Sequence, residues 1–235
     1  MPDPGSMLIP DSLGTQTSLD LARILRALHK GEELKVAILG FDGGALVSVL
    51  NEVAGLHWAK AFLGTPPRSQ SNVEFHEGLA PDSFNEPPNV VVLDTVNLPN
   101  PHELSLVEAA FCGSSSQAAV LVRSYDLVQM KDWLPYHFHK EIYERHLGSS
   151  RDYWEAVESL AKDNQYRVLE RSALRMGPSV LHGFDLTGWW VSVSNALGLD
   201  SESPVNSVLK EIEQKGLQGA NLDLFVKECL YFRGS

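Results

Sequence analysis

The stretch KVAILGFDGGALVSVL, residues 35 to 50, constrains the fold more than any other part of the sequence. Its first half is an unbroken apolar run, which is typical of a strand covered on both faces. Three glycines then predict a tight turn, and ALVSVLNEVAG predicts a helix that ends near Gly55. A second apolar run, HWAKAFLG, predicts another strand. Strand, turn, helix and strand form a βαβ unit with a right-handed crossover.

The alternation of strands and helices continues beyond this unit. NVEFHEG, NVVVLDTV and AAVLVRSY predict further strands, whereas HELSLVEAAFC and RDYWEAVESLAKDN predict helices. YRVLERSAL and GWWVSVSNAL then predict two strands without a helical stretch between them, as in an antiparallel pair at a sheet edge. The sequence therefore predicts an α/β fold with a doubly wound, mostly parallel sheet and an antiparallel edge pair.

The length of 235 residues suits one domain with a single substantial core. We expect a flexible leader over residues 1–16, the α/β domain over residues 17–200, and a helical extension over residues 201–235 packed on the same domain. In that extension, SPVNSVLKEIEQKG and NLDLFVKECLYF predict two amphipathic helices.

Composition narrows the classes of partner. The chain has 30 acidic and 19 basic side chains, a net charge of −11, and no long basic run, so we expect no nucleic acid partner. No stretch approaches the ~20 apolar residues of a membrane span, so we expect no membrane partner. Cys112 and Cys229 lie far apart, which excludes a CxxC pair and a cysteine zinc site and favours a reduced, cytoplasmic protein.

Three motifs occur in an informative order. Gly40 and Gly44 follow the first strand, VEFHEGLAPDSF contains the third, and VVVLDTVNLPNP contains the fourth. This order and spacing resembles the class I S-adenosylmethionine (SAM) dependent methyltransferases over roughly residues 33 to 197. The resemblance implies a Rossmann-like fold, SAM as the cofactor and methyl transfer as the reaction. It assigns cofactor binding to Gly40, Phe41, Asp42, Gly44, Glu77, Gly78, Asp94, Thr95 and Asn97.

The sequence departs from the family pattern at three positions. Asp42 replaces the middle glycine of the first motif, and Leu63 stands where an acidic residue normally holds the ribose hydroxyls. Leu79 stands where an acidic residue normally lies near the adenine, although Glu77 and Asp82 are close enough to substitute. The cofactor motif is therefore divergent.

Some cofactor-binding positions also have a structural interpretation. Asp42 can bond nearby backbone N–H groups as turn residues commonly do, and Asp94, Thr95 and Asn97 can be ordinary loop residues. A carboxylate at Asp42 suits the ammonium group of SAM, whereas it would repel a dinucleotide pyrophosphate. This charge disfavours NAD as the cofactor.

The segment SYDLVQMKDWLPYHFHKEIYERH is unusually rich in aromatic and histidine side chains. The family often builds its substrate lid at this place, so the candidate catalytic residues are Tyr125, His137 and His139. A neutral histidine can accept a proton from a substrate hydroxyl because its ordinary pKa is about 6.5. Aromatic packing is the alternative interpretation. No acidic residue or cysteine completes a clear ligand pattern around the histidines, so no metal site is predicted.

The leading hypothesis is a methyltransferase-like enzyme that acts on a small, aromatic or apolar molecule. A second hypothesis keeps the fold without methyl transfer, as a cyclase, an isomerase or a non-catalytic partner subunit. An NAD-dependent oxidoreductase ranks third, because the acidic residue that it needs after the second strand is absent. The C-terminal helices can cover the sheet or pair with a second copy, which would give a homodimer.

Overall fold

The computed structural model describes residues 33–40, 56–63, 73–77, 84–95, 102–128, 140–176, 214 and 224–234. Two helices in these ranges are α1, Leu104–Cys112, and α2, Lys140–Asp163. The strands are β1 Leu34–Leu39, β2 Leu56–Leu63, β3 Val73–Glu77, β4 Val90–Asp94, β5 Ala118–Tyr125, β6 Arg167–Met176 and β7 Leu224–Arg233. None of the helices in the described ranges is long and apolar enough to cross a membrane.

These strands form one seven-stranded sheet in the order β3, β2, β1, β4, β5, β7, β6. The pairs from β3 through β5 are parallel, and β7 is antiparallel to both β5 and β6. The sheet is built outward in both directions from β1, since β2 lies on one side of it and β4 on the other. The predicted doubly wound, mostly parallel sheet with an antiparallel edge pair is confirmed.

Most of the predicted elements that fall on described residues are confirmed. The six apolar runs from KVAILG to YRVLERSAL correspond closely to β1 through β6, and HELSLVEAAFC contains α1. Helix α2 begins at Lys140, well before the predicted RDYWEAVESLAKDN segment. The predicted leader, the helix ALVSVLNEVAG and the strand GWWVSVSNAL lie outside the described residues.

The prediction for the segment NLDLFVKECLYF was wrong: it forms strand β7 rather than a helix. Its apolar residues happen to follow helical spacing, at Leu222, Phe225, Val226, Cys229 and Leu230. In the structure β7 has a hydrogen-bonded strand on each side, and this tertiary pairing overrides the local pattern.

The position of β7 also corrects the predicted domain organisation. Strand β7 lies inside the sheet, between β5 and β6, so the α/β domain continues to Arg233 instead of ending at residue 200. The antiparallel pair at this edge consists of β6 and β7.

The core on one face of the sheet lies beneath the two helices. Helix α1 packs against α2 and β4. Buried residues of both helices, such as Phe111 and Val157, join Leu93, Val122 and Cys229 from the strands in a single cluster. Every residue of β4 and β5 is buried, which explains why the sequences of these strands are almost entirely apolar.

Asn89 ties β1 to β5 at the amino edge of the parallel strands. Its side-chain oxygen accepts a hydrogen bond from the Lys35 amide at 2.8 Å, and its side-chain nitrogen donates to the Glu33 carbonyl at 2.8 Å. Its backbone donates to the Lys35 carbonyl at 3.0 Å and accepts from the Ala119 amide at 2.9 Å. Because the residue is buried, loss of the side-chain contacts would leave backbone groups unsatisfied.

Replacing Asn89 by Ala is therefore expected to lower the free energy of unfolding by about 1–3 kcal/mol. Equilibrium urea unfolding measures the change. Asn85→Ala, at an exposed position four residues earlier, is the matched control and should alter stability by less than about 0.5 kcal/mol. Equal effects of the two substitutions would contradict the role given to Asn89.

Candidate functional site

The sheet brings the ends of β1 and β4 together at the point where the strand order reverses. Leu39 pairs with Leu93, so Gly40, which follows β1, lies beside Asp94, the last residue of β4. In open α/β sheets, ligands bind outside the carboxyl ends of the strands at this switch point. Gly40 has a φ of 70°, in the left-handed region that glycine adopts without strain. This edge of the sheet is the candidate functional site.

A buried arginine connects the end of β4 to β7. The Arg123 Nη1 atom donates to the Asp94 Oδ2 atom at 3.0 Å. On its other side, Arg123 Nε lies 3.2 Å from Glu228 Oε2 as an ion pair, without the alignment of a hydrogen bond. The Arg123 side chain is only 7% exposed. We call these three residues the Arg123 charge cluster.

The strand register explains how the cluster forms. Asp94 pairs with Arg123, and Arg123 pairs with Glu228, so the three residues form a row across β4, β5 and β7. Partners in a ladder point to the same face of a sheet. The residues one position away in each strand face the helices: Leu93, Val122 and Cys229. Because successive side chains of a strand alternate between faces, the cluster lies on the opposite face.

The residue that follows β4 is also fixed to β5. The Thr95 amide donates to the Arg123 carbonyl at 3.1 Å, and the Thr95 hydroxyl donates to the same oxygen at 3.2 Å. Thr95 is completely buried. The first residue of the turn after β4 is therefore held by backbone and side chain together.

Tyr153 of α2 lies under this turn and is completely buried. Burial is the main cause that raises the pKa of Tyr153, and the negative charge of Asp94 raises it further, while the nearby Thr95 hydroxyl opposes the shift. The two hydroxyl groups approach each other without hydrogen-bond geometry. The Tyr153 ring packs edge-on against His102, with ring centres 5.4 Å apart. The buried Tyr153 ring therefore supports the end of β4.

Tyr125, one of the candidate catalytic residues, ends β5 at the same edge. Its side chain is 2% exposed, and its carbonyl accepts a hydrogen bond from Trp154 Nε1 at 3.3 Å. Lys227 Nζ lies 4.2 Å from the centre of the Trp154 ring, a cation–π contact that joins β7 to α2. The end of β5 is thus anchored by the helix and by β7.

The ends of β2 and β3 complete the edge. Leu63 is the last residue of β2 and pairs with Glu77, the last residue of β3. The strand β2 therefore ends without an acidic residue. Its ladder partner Glu77, at the end of the neighbouring strand β3, is acidic.

The structure brings together only part of the predicted site. Gly40, Glu77, Asp94, Thr95 and Tyr125 lie at the ends of parallel strands along one edge. The remaining candidates lie outside the described residues: Phe41, Asp42, Gly44, Gly78, Asn97, His137 and His139. Within the described ranges, no group of three or more His, Cys, Asp or Glu side chains is placed to hold a metal ion.

Sequence reasoning missed Arg123, Glu228 and Tyr153. A signal for Arg123 was present, because a single charged residue inside the apolar run AAVLVRSY requires a buried partner. Glu228 could not be predicted, because the pattern of its segment favoured a helix and its register with β5 was unknown. Tyr153 was part of a correctly predicted helix, but its position under the β4 turn depends on how that helix packs.

No family model matches the chain, and no curated protein matches it. Solved structures do match. One is a protein assigned as a methyltransferase from Bacillus halodurans C-125, with a TM-score of 0.56, 12% identity, and coverage of 92% of this chain and 100% of that chain. Another is the YcgJ protein from Bacillus subtilis, with a TM-score of 0.55, 13% identity, and coverage of 94% and 99%.

A third similar structure is the plantazolicin methyltransferase BpumL, in complex with a triazolic desmethylPZN analog and SAH, the demethylated product of SAM. Its TM-score is 0.52 at 10% identity, with coverage of 98% of this chain and 88% of that chain. At these identities the likeness concerns the fold. The chain has the fold of the class I SAM-dependent methyltransferases, and the resemblance seen in the sequence is confirmed at that level.

Breaking the Arg123 charge cluster is expected to destabilise the protein. Arg123→Met leaves the Asp94 and Glu228 carboxylates without their cation in a buried site, so the free energy of unfolding should fall by about 3–5 kcal/mol. Urea unfolding followed by circular dichroism measures the loss. The triple variant D94N/R123M/E228Q, which removes the charges together, should recover part of it.

Arg171→Met is the matched control for this prediction. Arg171 pairs with Glu158 at 3.2 Å, but both side chains are about half exposed. An exposed pair of this kind contributes about 0–1 kcal/mol. If Arg123→Met and Arg171→Met had similar effects, the Arg123 charge cluster would not hold the end of β4 as described.

Proposed function

We propose that this protein is a SAM-dependent methyltransferase that acts on a small aromatic or apolar molecule. The observation that carries the proposal is Gly40: a glycine with positive φ follows the first strand, at the switch point of a sheet with the methyltransferase fold. Fold alone does not define an activity, so the proposal depends on this turn and its neighbours.

Gly40 suits a ligand that the backbone must approach closely. It carries no side chain, and its neighbour across the switch point is the ordered end of β4. In the proposal, Gly40 binds the amino acid portion of SAM together with Phe41, Asp42 and Gly44. Glu77 and Gly78 would lie on the adenosine side, and Glu77, which pairs with Leu63 in the ladder, would replace the acidic residue absent there.

Asp94 acts in this proposal as a positioning residue. Its carboxylate is bound to Arg123, so it can act on the site without contacting the cofactor. Through Arg123, and with Thr95 bound to the Arg123 carbonyl, it fixes the direction in which the chain leaves β4. Asn97 lies two residues beyond Thr95 and would flank the methionine portion of SAM.

When bound, SAM supplies a methyl group attached to a positively charged sulfur. Methyl transfer requires the acceptor atom to lie in line with the bond that breaks, so the protein contributes mainly by positioning the reactants and excluding water. His137 or His139 would take the proton from an acceptor hydroxyl, and Tyr125 would line the acceptor side at the end of β5.

The proposal predicts that the purified protein binds SAM and SAH, as measured by isothermal titration calorimetry. Gly40→Asn should weaken the binding by at least about tenfold, because asparagine tolerates a positive φ while its side chain occupies the space that the ligand needs. The substitution therefore separates binding from folding better than a β-branched residue would.

Gly148→Ala is the matched control. A Cβ added at Gly148, in α2, would meet no atom within 4 Å, and alanine favours a helix more than glycine does. This variant should bind SAM like the unchanged protein. Titrations in which Gly40→Asn and Gly148→Ala bind SAM equally would remove Gly40 from the cofactor site.

The end of β2 supports a second candidate, the methyltransferase fold without methyl transfer. Leu63 is the last residue of β2, where the resemblance implies a ribose-binding carboxylate, and a cyclase, an isomerase or a non-catalytic subunit would not need that group. The same titration separates the candidates: a folded protein that gives no heat with SAM or SAH would favour this second function.

A further inference from the structure

Helix α2 is longer than the part of the sheet that it covers. Its 24 residues span about 36 Å at 1.5 Å per residue. The Asn164 carbonyl, directly after the helix, accepts a hydrogen bond from Arg233 at 3.4 Å. Arg233 pairs with Ala118, the first residue of β5. The C-terminal end of α2 therefore lies at the amino edge of the parallel strands.

Tyr153 and Trp154 mark the level at which α2 crosses the carboxyl edge. Trp154 Nε1 donates to the carbonyl of Tyr125, the last residue of β5, at 3.3 Å. Tyr153 lies under Thr95, the first residue after β4. Residues 140–152 come before this level, so about 20 Å of helix extends beyond the ends of the parallel strands. We call residues 140–152 the α2 overhang.

The face of α2 that packs on the sheet continues into the α2 overhang. Over the sheet this face consists of Tyr153, Val157 and Ala161, which are buried. Ser150 extends the face by almost one turn and is 1% exposed. His146 comes four residues before Ser150 and seven before Tyr153, which is close to two full turns. His146 therefore occupies a position on the same face of the helix.

The rise of the helix gives the level of His146 relative to the strands. It lies about 10 Å before Tyr153 along the helix axis, outward from the end of β4. Strand β4 is next to β1, so Gly40 lies one strand spacing, about 4.8 Å, from Asp94. His146 is therefore level with a ligand that lies in front of Gly40 and Asp94. The exposed positions nearby belong to the other faces of the helix: Glu144, Arg145 and Ser149.

The chemistry of the inward face changes where α2 leaves the sheet. Val157 and Ala161 are apolar and belong to the core cluster, whereas Ser150 and His146 are polar. A polar residue on the inward face of a helix requires polar surroundings or a ligand that forms hydrogen bonds. Tyr143, almost one turn before His146, adds an aromatic residue at the same face. This combination suits an aromatic ligand that carries a hydroxyl group.

We propose that His146 lines the acceptor side of the proposed SAM site and forms a hydrogen bond with the hydroxyl group of an aromatic acceptor. The inference rests on the function proposed above and adds the residue that selects the acceptor. A neutral imidazole accepts this bond through its unprotonated nitrogen. His146 is thus a specificity-determining residue that favours phenols over apolar molecules of the same shape.

The first test measures how close His146 lies to the sulfur of SAM. The protein is labelled with ¹³C-histidine and titrated by NMR in its SAM complex and in its SAH complex, and His146→Gln identifies the signal by its loss. The two ligands differ by one positive charge on sulfur, while the protein groups are the same. Within about 10 Å, this charge should lower the midpoint of the His146 titration by at least about 0.3 pH units in the SAM complex.

His57 is the internal control for this titration. It lies in β2 at the amino edge, where it is half exposed and pairs with Glu33 at 3.4 Å, so its curves in the two complexes should coincide. Equal midpoints for His146 in the two complexes would overturn the inference and leave the SAM site intact. A protein that binds neither SAM nor SAH would overturn both.

The second test concerns the acceptor. With SAH bound, no methyl group can be transferred, so calorimetry measures binding alone. The SAH complex should bind 2-naphthol, and His146→Leu should weaken this binding by at least about fivefold because the hydrogen bond to the hydroxyl is lost. Binding of 2-methoxynaphthalene, which has no hydroxyl proton, should change by less than about twofold.

Arg145→Gln is the matched control variant, since Arg145 is the exposed neighbour of His146 in α2. This variant should bind 2-naphthol like the unchanged protein. Failure of 2-naphthol to bind the SAH complex would refute the role of His146 in acceptor binding, as would equal affinities of the His146→Leu and Arg145→Gln variants for 2-naphthol.

Discussion

The architecture at the carboxyl edge of the parallel strands depends on the ion pairs of the buried Arg123 guanidinium. It lies between Asp94 at the end of β4 and Glu228 in β7, so one side chain joins three neighbouring strands. A buried charge is stable only when its partners are in place. The position of the end of β4 and the pairing of β7 with β5 therefore depend on each other. The C-terminal strand is thereby coupled to the switch point where the candidate site lies.

This coupling gives the carboxyl edge its rigidity. Thr95 is fixed to the Arg123 carbonyl, Tyr153 supports it from α2, and the end of β5 is held through Trp154. Because these contacts form without a ligand, the ends of β4 and β5 need no ordering when a ligand binds, which lowers the entropy lost on binding. In this fold, most of the catalytic advantage in methyl transfer would come from such positioning.

The sequence was sufficient to predict the parallel half of the sheet, because the central strands are covered on both faces and read as uninterrupted apolar runs. It was insufficient at the C terminus, where the apolar residues from Leu222 to Leu230 fit a helix and only the two neighbouring strands select the extended form. The same error concealed Glu228. Gly40 was predicted from its turn, whereas the role of Asp94 could not be, since its partner depends on the ladder register.

The proposed SAM site beside Gly40 can be examined in a crystal structure of the protein grown with SAH. We expect density for SAH at the carboxyl ends of β1 and β4, in contact with Gly40. The φ of Gly40 should remain positive, and Arg123 should remain in contact with Asp94. A well-ordered structure in which this edge stays empty at saturating SAH, or in which protein side chains fill the space beside Gly40, would contradict it.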